Sequence, residues 1–149
     1  MGDLRIERDV VIEAPVEVVW RTITEPDQIV KWFADRVELK LEPGGEGYMG
    51  FGEHHGGAVV VETVDPPKRF SFRWNHPAGE EPVPANSVLV EFNLTPRGAE
   101  RTYLQVVESG DELLAWPDAE KDRYADEHNG GWADFLGRLG GLFVEHRTG

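Results

Sequence analysis

The chain has 149 residues, no cysteine and a formal charge of −13, with 40% hydrophobic and 29% charged residues. Such a composition fits one soluble globular domain, large enough to bury a core without metal or disulfide staples. It excludes disulfides, thiolate nucleophiles and zinc–thiolate centres, and the acidic balance without any basic cluster opposes nucleic acid and anionic membranes as partners.

The N-terminus, "MGDLRIERDVVIEAP", lacks the continuous apolar segment of a secretory signal. No apolar run approaches the roughly 18 residues of a membrane span, so a cytoplasmic location is the default expectation. Alternation in "LRIERDVVI" predicts a first strand, with Leu4, Ile6 and then Val10 or Ile12 on one phase. Pro15 opens "PVEVVWRTIT", where Val16, Val19, Trp20 and Ile23 recur at helical spacing. A second short helical turn follows in "PDQIVKWFA", with Ile29, Trp32 and Phe33 on its buried side.

From Arg36 to Gly110 the punctuation is that of an antiparallel sheet. "RVELKLE", "GYMGF", "AVVVETV", "RFSFRWN", "SVLVEFNLTP" and "TYLQVVES" read as strands, and "HPAGEEPVPA" reads as an exposed loop. A long helix is expected from near Pro117 to the C-terminus. The predicted class is α+β, with about seven strands, two short helices after the first strand and one long terminal helix over residues 1–149 as a single domain.

Within that helix, "GWADFLGRLGGLF" carries Gly137, Gly140 and Gly141, each costing about 1 kcal/mol relative to alanine in a helix interior. At about 100° per residue, Trp132, Leu136, Leu139 and Phe143 form one apolar stripe, while Ala133, Gly137, Gly140, Gly141 and Val144 form a second stripe of small residues. A low face admits close approach by a strand, by a second subunit or by a bound molecule. Phe70, Phe72, Trp74 and Phe92 on the sheet, with Trp32, could line an apolar pocket or simply form the core.

The stretches "APVEVVWRTITEPDQIVKWFA", "VDPPKRFSFRW" and "GWADFLGRLGGLF" resemble the START-like (SRPBCC) superfamily with the helix-grip fold. Within it the chain is most similar to single-domain proteins grouped with the C-terminal domain of the activator of the heat-shock-protein-90 ATPase. The resemblance covers nearly the whole chain and rests on helix starts, turns and core aromatics. It implies a sheet wrapped around the C-terminal helix with an apolar cavity between them. It also implies function: members bind lipids, sterols and polyketides, and a few act as cyclases or dehydratases.

Other motifs point to less. "GEGYMG", Gly45 to Gly50, has dinucleotide-turn glycines but leads into a strand rather than a helix, and reads as a hairpin turn. Glu53-His54-His55 lacks a third ligand at metal-site spacing and reads as a hairpin tip. His128 falls near the core phase of the long helix, where it could line a pocket or cap its edge. Glu62 and Glu91 are the strand acids to watch for acid–base work; Glu91 is expected to face water, and both phases of the strand around Glu62 are apolar.

The combined expectation is a helix-grip domain that binds a small hydrophobic or amphipathic molecule between sheet and C-terminal helix, with no metal or organic cofactor. Trp32, Phe72, Trp74, Phe92, Trp132, Phe135, Leu136 and Leu139 are the candidate ligand-binding residues, with Gly137 and Gly140 as spacers. Two other readings stand beside it: a chaperone-contacting interaction module, and an enzyme acting on a polyketide-like substrate. The glycine stripe could also serve as a homodimer contact.

Overall fold

Apolar residues at every second position need a partner sheet face, and the computed structural model supplies it with seven strands in one antiparallel sheet. The structure describes residues 4–51, 55–75, 87–110 and 117–144. The strands are β1 (Leu4–Ile12), β2 (Arg36–Leu39), β3 (Glu46–Phe51), β4 (His55–Asp65), β5 (Arg69–Asn75), β6 (Ser87–Pro96) and β7 (Thr102–Gly110). Their order is β1-β7-β6-β5-β4-β3-β2, so the chain runs as a meander from β2 to β7 and closes by laying β1 against β7. Helices α1 (Val16–Thr24) and α2 (Pro26–Ile29) connect β1 to β2, and α3 (Asp118–Val144) lies against β1. This is the expected helix-grip α+β architecture.

Local chemistry explains the elements. Pro15 precedes the first turn of α1, and its carbonyl accepts the amides of Val18 and Val19. Trp32, in the turns that follow α2, is buried and donates its indole N–H to the carbonyl of Thr22 at 3.0 Å, which fixes the α2 segment onto α1. Between β2 and β3, Gly44 adopts φ +82°, and a Cβ on Gly45 would stand 2.1 Å from the Lys40 carbonyl. The turn therefore requires both glycines; of the "GEGYMG" stretch expected to form it only Gly45 does so, because Glu46 to Gly50 already belong to β3.

The inner sheet face is aromatic. Phe70 and Phe92 are register partners on β5 and β6 and stack at 6.1 Å, with Phe72 tilted beside both. The question at Glu62 is settled by a β-bulge: the register shifts between Val61 and Thr63, so that Val61 opposes Phe72 and Val64 opposes Phe70. Both apolar phases of β4 thus reach the same face. Glu62 is left exposed on the outer side, 2.8 Å from Arg73.

The outer sheet face carries exposed polar pairs. Glu13 holds Arg101 through both carboxylate oxygens, Tyr103 donates to Asp9, Gln105 donates to Glu7, and Glu91 lies 3.7 Å from Arg69. Exposed pairs of this kind contribute at most about 1 kcal/mol each, so the fold is held by its inner face. Arg8 shares the phase of Leu4 and Ile6 but reaches helix α3, donating to the Asn129 side chain at 2.8 Å.

Candidate functional site

Along β7 the inward phase runs Thr102, Leu104, Val106 and Glu108, all buried. Glu108 is 0% exposed, with Ile6 of β1 and Val90 of β6 as its register partners. A carboxylate moved from water into such surroundings loses several kcal/mol of hydration unless donors replace it. Helix α3 provides most of them. Tyr124, His128 and Trp132 are spaced four residues apart, which sets them on one helix face above the carboxylate.

The carboxylate is fully engaged. Oε1 accepts the Trp132 indole N–H at 2.8 Å and lies 3.0 Å from His128 Nδ1. Oε2 accepts the Trp74 indole N–H at 2.9 Å and the Tyr124 hydroxyl. Trp74 also reaches the Tyr124 oxygen at 3.1 Å. Indole N–H groups can only donate, so both oxygens act as acceptors, and four contacts match the roughly four acceptor positions of a carboxylate. The cluster binds β5, β7 and α3 to one another through a single side chain.

Tyr124 is held protonated well above the ordinary tyrosine range, first by burial and then by the charge and hydrogen bond of Glu108, with the Trp74 hydrogen bond working the other way. As the pH rises past about 10, the unfolded chain releases this proton while the folded chain retains it, so stability falls with pH. Tyr124→Phe is therefore expected to flatten the alkaline decline by up to about 1.4 kcal/mol per pH unit. Urea unfolding midpoints of the two proteins across that range measure it, and parallel declines would contradict it.

Around the cluster lie stacked rings. Phe33, from the turns after α2, is nearly parallel to Trp74 at 5.7 Å and to Trp132 at 5.2 Å, and meets Phe135 edge-on at 4.8 Å. The His128 ring stacks on Tyr124 at 3.7 Å and stands edge-on to Trp74 at 6.2 Å. Trp74, His128 and Phe135 are the half-buried members, and they form the outer rim of this aromatic seam.

The residues expected to line a pocket divide into three groups. Trp32, Phe72, Phe92, Trp132, Leu136 and Leu139 are together in the buried core, each at most 3% exposed, so almost none of their surface borders a water-sized space. Trp74 and Phe135 sit at the rim of the seam. Gly137 and Gly140 are not brought to it. On the helix projection they turn away from Phe135 and His128, and a Cβ added at Gly137, Gly140 or Gly141 meets nothing within 4 Å among the described residues. No described element packs closely onto the glycine stripe, which removes tight helix-to-sheet packing as its explanation.

Sequence reasoning singled out Glu62 and Glu91 and passed over Glu108 and Tyr124. Two signals would have found them: Glu108 continues the phase of Leu104 and Val106, and Tyr124, His128 and Trp132 repeat every four residues. Glu53 and His54 lie outside the described residues, as does the side chain of His55 and the loop 76–86. A separate depression of about 400 Å³, lined by Glu13, Arg97, Glu100 and Arg101, sits at the β6–β7 turn on the outer surface. Among the described residues no helix is long and apolar enough to cross a membrane, and no cluster of three or more metal-ligating side chains occurs.

Comparison with known proteins adds a family and a set of neighbours. The family described as activator of Hsp90 ATPase homolog 1-like protein matches residues 13–143. Protein MLL2253 from Mesorhizobium loti is similar over 95% of this chain and 97% of its own, with 25% identity and a TM-score of 0.78. DynU16, a protein in the dynemicin biosynthetic locus, is 29% identical over 95% of this chain and 47% of its own, with a TM-score of 0.74. The Aha1 dimer from Colwellia psychrerythraea shares the fold at 19% identity, over 94% of this chain and 96% of its own, with a TM-score of 0.71. No curated protein sequence matches the chain.

Proposed function

The chain belongs to the family of activator of Hsp90 ATPase homolog 1-like proteins, and from that premise we propose that it binds a small hydrophobic or amphipathic molecule along the seam between α3 and the sheet. The observation that carries this reading is the near-parallel set of Phe33, Trp74 and Trp132, tilted by 15° to 25° from one another, with Trp74 and Phe135 half-buried at its edge. Flat apolar walls with a few placed polar groups are the usual lining of a small-molecule site. They suit a planar hydrophobe. The six core residues Trp32, Phe72, Phe92, Trp132, Leu136 and Leu139 pack beneath the seam as a filled floor that the molecule does not enter, and the similarity to DynU16 of a biosynthetic locus supports a small organic molecule as the occupant.

A second reading, an interaction module of the chaperone-activating kind, is favoured by the filling of that same floor and by the family description. Calorimetric titration with methylnaphthalene separates the two. Wild type is expected to bind. Phe135→Asp, which sets a charge at the rim, is expected to weaken binding by about ten-fold or more, since burying an uncompensated polar group costs ~1–3 kcal/mol. Gly140→Leu, on the other helix flank, retains it. Loss of binding in Gly140→Leu with normal binding in Phe135→Asp would transfer the site to the glycine stripe, and no binding by wild type would favour the interaction module.

A further inference from the structure

Among the described residues β2 pairs with β3 alone, so its other edge lies open at the end of the sheet. We propose that this edge is a self-association surface, on which β2 of a second copy of the chain pairs antiparallel about a two-fold axis at Leu39. The two sheets then continue into one another. This association is separate from the seam and from whatever the seam holds.

The backbone is turned for it. A Cβ on Gly47 would collide with the Glu38 carbonyl, and one on Gly45 with the Lys40 carbonyl, so both carbonyls face β3. The Glu42 amide returns to the Lys40 carbonyl at 2.9 Å and lies on that side as well. Successive residues of an extended strand point their amide and carbonyl to opposite edges, which leaves those of Val37 and Leu39 for the open edge. Leu39 on the two-fold axis exchanges both hydrogen bonds with Leu39 of the second copy.

The side chains select the register. Arg36, Glu38, Lys40 and Glu42 are exposed, Val37 and Leu39 are half-buried, and Leu41 is 39% exposed, among the few large hydrophobic residues left to solvent. With the axis at Leu39, Glu38 stands opposite Lys40 of the second copy, Arg36 opposite Glu42, and Val37 opposite Leu41, each pair occurring twice. A shift of two residues one way sets Glu38 opposite Glu38 and Arg36 opposite Lys40; the other way it sets Lys40 opposite Lys40 and Glu38 opposite Glu42. A shift of one residue sets every charge opposite leucine or valine. Opposed unlike charges stabilise a strand pair and opposed like charges destabilise it. Charges on a short edge strand ordinarily resist further pairing; here they resist it in the neighbouring registers and favour it in one. Residues 36–42 hold two basic and two acidic side chains, so the edge is charge-balanced within a chain of net charge −13. Lys40 lies 3.7 Å from Glu42 of its own chain, but with both side chains more than half exposed that pair is too weak to hold it from a second copy. Arg36, whose guanidinium lies 5.9 Å from the Tyr48 ring, enters only by its charge.

Sedimentation equilibrium of the full chain over a range of micromolar concentrations tests this. Wild type is expected to approach twice the monomer mass as concentration rises. E38K sets like charges opposite one another at both symmetric positions, as K40E does, and each variant alone is expected to self-associate about ten-fold more weakly or worse. Mixed in equal amounts, the two variants restore an acid opposite a base at both positions, and the mixture is expected to recover wild-type association. Both positions are exposed, and urea midpoints near that of wild type verify that the variants fold. A wild type that stays monomeric throughout overturns the proposal and leaves the edge to a strand from a different protein. A dimer that persists unchanged in both variants also overturns it and moves the contact elsewhere, to the glycine stripe of α3 for example. Failure of the mixture to associate where wild type does overturns the register.

Discussion

Glu108→Leu is expected to lower the unfolding free energy by about 3 to 5 kcal/mol, the cost of breaking a buried charged cluster by removing one partner. Exchange of a buried polar set for hydrophobic residues can be neutral or favourable, but only when every member is replaced. Here the leucine removes the acceptor of the Trp132 N–H and of the Tyr124 O–H and the contact at His128 Nδ1, and a buried donor that loses its acceptor costs about 1–3 kcal/mol. Trp74 keeps the Tyr124 oxygen as a second acceptor, so it adds less. Against a total stability of about 5–15 kcal/mol for a domain, the loss is a large fraction. Glu108→Gln keeps the shape and one carbonyl and is expected to cost less, about 2 kcal/mol, because its amide group meets the Tyr124 hydroxyl and the Trp74 N–H. Urea unfolding at a constant denaturant slope measures both. A leucine variant as stable as wild type would mean that the hydration cost of the carboxylate outweighs its four contacts.

Trp132 carries the second large effect because it is both wall and donor. Trp132→Ala removes an indole that contacts Phe33, Phe92, Trp74 and Phe135 and is expected to cost about 3–5 kcal/mol. Trp132→Phe keeps most of the packing and loses the hydrogen bond to Glu108, so it is expected to cost about 1.5 to 3 kcal/mol. The difference between the two reports packing. If the hydrogen bond is the main loss in Trp132→Phe, its effect shrinks in a Glu108→Leu background, as a double-mutant cycle requires for coupled partners. Equal effects in both backgrounds would assign the cost to shape alone.

The element order was legible in the sequence because it is written in local signals: proline before α1 and at the first position of α2, a glycine pair at the β2–β3 turn, and two-residue alternation along β5, β6 and β7. Helix α3 begins at Asp118, one residue after the proline taken as its start. The bulge at Glu62 was not legible, since a one-residue register shift depends on what β5 presents across the gap. The cluster was missed for a related reason. A glutamate in an inward phase is improbable on its own, and it becomes reasonable only when Trp74 from one strand and Tyr124, His128 and Trp132 from a distant helix converge on it. Convergence is a property of tertiary packing. The glycine stripe shows the reverse case: the projection placed it beside the core face, but a local pattern suggested a contact that the fold does not make among the described residues.

The central claim is that the seam beside Trp74, His128 and Phe135 holds a small hydrophobic molecule, and native mass spectrometry of gently purified protein tests it most directly. The expected spectrum shows mass in excess of the polypeptide that disappears on denaturation, and the released compound carries an apolar body. A bare polypeptide mass, together with no methylnaphthalene adduct after incubation with that compound, would contradict the claim.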